Sequence, residues 1–240
     1  MIVAVHQPQY LPWLGYFDKI DNADVFCFLD NVQYKKNEWQ NRNRIKSTHG
    51  WQWLTAPVLY RFPQKINTVR INNTVNWKKK HLQALITNYG KAPFFDDFFN
   101  FFEGVYSTEW EFLADLNIYL VQQLIGMLGL ESKTTARASE LQLSDDPTDR
   151  LIDICKTLGG DTYLSGRDGT QYMDLERFRQ RGIRVIVQDF KHPVYPQLFG
   201  DFQSHLSIVD LLFNCGPDSL QKIREYNSNT ERPEPKMTNF

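Results

Sequence analysis

The chain has 240 residues, 27 basic against 28 acidic side chains for a formal net charge of -1, and 14% aromatic residues. A chain of this length buries about 70–75% of its unfolded surface, so it needs neither disulfides nor a metal to fold, and so rich an aromatic content excludes a disordered or low-complexity body. The balanced charge argues against duplex nucleic acid as the main partner, no stretch reaches the roughly 18 apolar residues of a membrane span, and the opening MIVAVHQPQY lacks the basic and apolar regions of a signal peptide.

The apolar run Ile2 to Val5 reads as a strand buried on both faces. Pro8 and Pro12 forbid a helix through the next residues, so a loop runs to a helix starting near Pro12 or Trp13, with Leu14, Phe17 and Ile20 on one face. Asp24 to Leu29 is a second strand, leading into Asp30. Residues 31–48 are polar and rich in Lys, Arg and Asn, which predicts a loop or an exposed short helix. Trp51 to Pro57 is a third strand, and Lys65 to Ile71 is placed beside it. From 76 to 130 the apolar spacing turns helical, through Leu82, Leu85, Ile86 and Tyr89, then Phe94 to Phe102, then Trp110 to Leu128. This middle segment is predicted to be a helical insert or lid between two α/β halves, 1–75 and 131–222. In the second half, Thr134 to Ala138 is a strand. Pro147 opens a helix that stops at Gly159-Gly160. Thr162 to Leu164 and Ile183 to Val187 are strands around a helix at Asp174 to Arg181, and Leu206 to Phe213 is a short apolar helix. Residues 223–240 are polar and aperiodic, which predicts a disordered tail. The fold class is α/β, with an open, mostly parallel sheet of Rossmannoid or nucleotidylyltransferase-like type and a helical insert.

In such sheets ligands bind at the carboxyl ends of the strands, which selects the candidate residues. His6 ends the first strand and is the candidate general base or charge stabiliser, with a side chain suited to proton transfer near neutral pH. Its loop adds Tyr10 and Trp13 as an aromatic wall. Asp30 closes the second strand and would orient His6 or a substrate amine. Arg42 and Arg44 offer forked donors for phosphate or carboxylate. Ser165 and Gly166 follow a strand and permit close approach of a ligand. His192, Tyr195 and Gln197 lie on a proline-fixed segment and would complete the pocket. His6, Asp30 and Arg42 are expected to converge. No metal-ligand motif, Walker loop or Gly-x-Ser-x-Gly elbow occurs. Cys27, Cys155 and Cys215 are few, odd in number and far apart, which reads as reduced thiol in a cytoplasmic protein.

Six stretches together resemble the WbqC-like family: HQPQYLPWLGYFDKI from His6, DNVQY from Asp30, WQNRNRI from Trp39, YLSG from Tyr163, HPVYPQ from His192 and LSIVDLLFNCG from Leu206. The resemblance implies a bacterial or archaeal protein from a setting of O-antigen or other surface-glycan synthesis. With the site residues it points to a transferase acting on a phosphate-bearing small molecule, by acyl or aminoacyl transfer to a sugar nucleotide. The alternatives are a nucleotidyltransferase using a nucleoside triphosphate and Mg2+, and a non-catalytic scaffold of glycan assembly. The opening strand, loop and helix also resemble the His-motif nucleotidylyltransferases, but only His6 of the usual pair is present.

Overall fold

Val3, Ala4 and Val5 are buried on both sides of β1 (Ile2–His6), as a strand at the middle of a parallel sheet must be. In the computed structural model, which describes residues 1–226, β1 leads through a loop to α1 (Leu14–Asp21) and on to β2 (Val25–Phe28). The chain then leaves the sheet. It makes the hairpin β3 (Arg42–Ser47) and β4 (Gly50–Thr55), the short pair β5 (Val58–Leu59) and β6 (Arg70–Ile71), and three helices, α2 (Trp77–Tyr89), α3 (Phe95–Ser107) and α4 (Leu113–Met127). It returns as β7 (Thr134–Arg137), α5 (Pro147–Thr157), β8 (Thr162–Ser165), α6 (Leu175–Gln180) and β9 (Arg184–Val187), and closes with α7 (Ile208–Cys215) and α8 (Ser219–Arg224).

The central sheet has the order β7-β2-β1-β8-β9 with every pairing parallel, an open Rossmann-like α/β arrangement. From β1 the chain first builds outward through β2 and β7, then reverses and builds β8 and β9 on the other side. The reversal leaves a crevice between the carboxyl ends of β1 and β8. Alternation sorts the side chains into two cores. Ala4, Phe26, Phe28 and Leu164 face α1, α4 and α7, whereas Val3, Val5, Cys27 and Tyr163 face α5 and α6. All three cysteines are free and buried. None of the described helices is long and apolar enough to cross a membrane.

Three expectations change. Residues 42–47 form a strand where a polar loop was expected, because β3 pairs antiparallel with β4 and buries Asn43, Ile45 and Lys46, with Asn43 opposite Leu54. The helices of 76–130 do not form a lid. Their apolar faces merge into the core on one side of the sheet, with Leu85, Phe102, Leu116 and Leu124 sharing it with Phe213, and none of their residues lines the crevice. Residues 223 and 224 belong to α8; residues 227–240 of the predicted tail lie outside the described part.

A buried polar junction fastens the hairpin to α7. The Asp210 carboxylate, fully buried, accepts hydrogen bonds from the Tyr89 hydroxyl at 2.8 Å, the Tyr195 hydroxyl at 2.9 Å and the Gln197 amide at 2.7 Å. Lys46 on β3 donates to the Gln197 side-chain oxygen at 3.2 Å, completing the link. Asp210→Ala leaves three buried donors without an acceptor, a cost of about 3–4 kcal/mol and a fall in Tm of roughly 6–16 °C. Thermal unfolding followed by circular dichroism checks this, and an unchanged Tm contradicts it.

Candidate functional site

The loop from Gln7 to Trp13 forms the first wall of the crevice, and it cannot hold itself. Pro8 and Pro12 contribute no N–H, and Leu11 sits at a φ of 45°, in the left-handed region. Its carbonyls are taken by donors from elsewhere: Asn117 of α4 bonds the Pro8 oxygen at 3.3 Å, Asn43 of β3 the Leu11 oxygen at 2.7 Å, and the Ile208 N–H the Pro12 oxygen at 2.8 Å. The segment before β3 closes the grip, with Tyr10 N–H donating to the Trp39 carbonyl at 3.1 Å and the Gln40 amide to the Gln7 side-chain oxygen at 2.6 Å. At the end of the loop the Trp13 ring lies against Gly15, where a Cβ would come within 2.4 Å of the indole, so only glycine fits. His205 stacks on Trp13 at 5.5 Å between centroids, and Phe190 meets its edge at 5.3 Å.

The crevice has a volume of about 650 Å³. That lies within the roughly 300–1,000 Å³ of small-molecule sites. Its walls come from the carboxyl ends of β1 and β8, the first turns of α1, and the segment after β9. His6 sits on it with Nδ1 3.0 Å from the Gln7 carbonyl, its ring edge-on to Tyr16. A carbonyl only accepts, so Nδ1 carries the proton and Nε2 keeps its lone pair. Burial, then the Lys19 charge, pull the His6 imidazole down to about 4. Across the crevice the Ser165 hydroxyl donates to the Gly166 carbonyl at 3.0 Å, and a Cβ on Gly166 would meet nothing within 4 Å, so the backbone there is open to a ligand. Asp168 is the one carboxylate on the lining, which also holds Lys19 and Arg167, and Arg167 pairs with Asp189 at 3.3 Å on the exposed rim.

Of the predicted residues, His6, Trp13, Ser165, Gly166 and His192 line the crevice, and the others do not. His192 is not free to move a proton: its Nδ1 is 2.8 Å from the Pro193 carbonyl, and its Nε2 accepts the His205 N–H at 3.1 Å. It positions His205. Asp30 is buried and accepts from the Ser139 N–H at 2.9 Å and the Ser139 hydroxyl at 2.7 Å, bracing the turn after β7. The expected convergence of His6, Asp30 and Arg42 in one pocket is therefore not formed. Tyr10 is buried away from the crevice, its hydroxyl 2.9 Å from His81 and 2.7 Å from the Tyr106 hydroxyl. Neither Arg42 nor Arg44 lines the crevice: their guanidinium groups lie 4.3 Å over Trp53 and 5.1 Å over Trp51 on the hairpin, and Arg44 also donates to the His205 carbonyl at 3.3 Å. Tyr195 and Gln197 belong to the Asp210 junction. Among the described residues no group of three or more His, Cys, Asp or Glu gathers to hold a metal ion.

Lys19, Gln188 and Phe190 also line the crevice and were not among the residues expected there. Gln188 donates to the Gly15 carbonyl at 2.8 Å and to Asp18 at 2.6 Å, tying the end of β9 to α1. Burial raises the Asp18 carboxyl to about 6 against those bonds. Lys19 carried a readable signal, because no Asp or Glu stands three or four residues away on its helix.

Two outcomes follow from this geometry. Asn43→Ala leaves the buried Leu11 carbonyl without its donor, at about 1–3 kcal/mol, and lowers Tm by roughly 2–12 °C, read by thermal unfolding. In 15N-detected imidazole spectra His6 stays neutral, protonated on Nδ1, from pH 8 down to pH 5, since its pKa lies near 4. A ring titrating at its ordinary value of about 6.5 contradicts the account.

Comparison with known proteins agrees with the motifs. The chain is 38% identical over 230 residues to the uncharacterized protein Rv1507c of Mycobacterium tuberculosis, covering 93% of this chain and 99% of the relative. No solved structure matches. The WbqC-like protein family matches residues 7–222, which takes in the loop after β1, both walls of the crevice and α7. The chain belongs to the WbqC-like protein family.

Proposed function

We propose that this protein is a transferase that modifies a sugar nucleotide by acyl or aminoacyl transfer, in the building of a bacterial surface glycan. The observation that carries the reading is the crevice at the switch point of the sheet, where His6 with a free Nε2 lone pair faces cationic groups between aromatic walls. A nucleotide sugar needs a cation for its diphosphate and flat apolar surface for its base or sugar ring. Arg167 beside the open backbone of Gly166 suits the first need, and Trp13 with Phe190 suits the second. His6 would take the proton from the attacking amine or hydroxyl. Its low basicity rises once a bound anion offsets Lys19 and favours the imidazolium. The glycan setting comes from the family resemblance alone.

Calorimetric titration with UDP-glucose, dTDP-glucose and Mg-ATP tests the reading. A nucleotide sugar is expected to bind, with Arg167→Ala weakening it about 10- to 150-fold, the worth of a hydrogen bond to a charged group. Arg42→Lys, which alters the outer face of the hairpin, should change affinity by no more than about 0.5 kcal/mol. Binding of Mg-ATP alone would favour nucleotidyl transfer. Binding of none of the three would favour a scaffold.

A further inference from the structure

Lys19 is a buried amine without a counter-ion. It is 3% exposed, it lines the crevice, and its Nζ makes one hydrogen bond, to the Val5 carbonyl at the end of β1 at 2.9 Å. No ion pair among the described residues includes it. The residues one turn away on either side, Gly15, Tyr16, Asn22 and Ala23, carry no charge. A lysine kept only for its charge has a carboxylate partner, and Lys19 has none among the described residues. What remains is an amine that shares the lining of a small-molecule crevice with an imidazole.

We propose that Lys19 is a carbonyl-condensing residue: its ε-amine forms an imine with an aldehyde or ketone group of the crevice's ligand, and His6 relays the proton. This deepens the function proposed above and rests on the crevice being the ligand site. The Nζ lone pair adds to the carbonyl carbon while the C=O π pair moves to oxygen. His6 Nε2 takes a proton from the new ammonium and returns it to that oxygen, giving a neutral carbinolamine. The hydroxyl takes one more proton from solvent and leaves as water as the nitrogen lone pair closes the C=N bond. In sum, amine, carbonyl and one proton give iminium and water, with no oxidant or reductant. The chemistry needs a neutral amine, and burial pulls Lys19 down to about 7, so that about half of it is free base at neutral pH.

Glyceraldehyde 3-phosphate, which carries both an aldehyde and a phosphate, is the probe. The full chain is incubated with it at pH 7, reduced with borohydride and mapped by peptide mass spectrometry. An ordinary surface lysine is only about 0.04% neutral at that pH, so the free-base fraction favours Lys19 by about 1,000-fold. Labelling of Lys19 at least about 10-fold faster than of exposed Lys79 and Lys80 is expected even with access restricted by burial. Labelling no faster than those two overturns the proposal. Lys19→Arg keeps the charge and removes the nucleophile, so the fast label must vanish, and a fast label that persists elsewhere also overturns it. If that variant fails to fold, mapping of the unaltered chain still decides. UDP-glucose binding without fast Lys19 labelling sinks the imine and leaves the transferase reading intact. Fast labelling in a chain that binds no nucleotide sugar does the reverse.

Discussion

The site depends on one constraint: a loop with two prolines, buried at the end of the central strand, cannot satisfy its own carbonyls. Pro8, Leu11 and Pro12 each present an oxygen to the interior, and donors on α4, β3 and α7 reach in to meet them. Each unmet carbonyl would cost about 1–3 kcal/mol, so the three contacts hold the loop in one shape. The end of β1 and the loop then deliver His6 and Trp13 to the crevice. The hairpin and the helices between β2 and β7 thus serve the site from behind. They fix the first wall without touching the space it encloses.

A second consequence is electrostatic. β1 ends in a carbonyl that engages Lys19, and α1 begins close enough to place that lysine on the crevice with His6. Both cationic forms are penalised by burial, and each charge would disfavour the other. The crevice therefore holds two weakened bases, each hydrogen-bonded to a backbone carbonyl and neither in an ion pair among the described residues. A ligand carrying negative charge relieves the strain on both. Such a site costs stability in the free protein, and groups perturbed in this way gather at functional positions more often than elsewhere.

Much of the architecture was legible in the sequence because it rests on apolar runs. Val3 to Val5, Val25 to Phe28 and Tyr163-Leu164 are continuous stretches that only a parallel sheet covered on both faces can bury. The loop after β1 was legible through its prolines. The hairpin strand β3 was not, since its inward face holds Asn43 and its outward face holds Arg42 and Arg44, so the stretch shows no apolar alternation. Asn43 is inward because its amide serves the Leu11 carbonyl, a tertiary requirement with no local trace. The same blindness made Asp30, Tyr10 and Gln197 look functional: a polar side chain near a strand end reads alike whether it faces a ligand or braces a neighbouring turn. Lys19 was overlooked for the opposite reason, being a common surface residue on a short helix. Only the lack of a partner marks it.

The crevice as ligand site is the claim on which the rest turns, and difference density from crystals soaked with UDP-glucose tests it most directly. Diphosphate oxygens are expected within hydrogen-bond distance of Arg167 and the Gly166 backbone, with a ring against Trp13. Density over Trp39, Trp51 and Trp53 on the outer face of the hairpin, with the crevice empty, would contradict it.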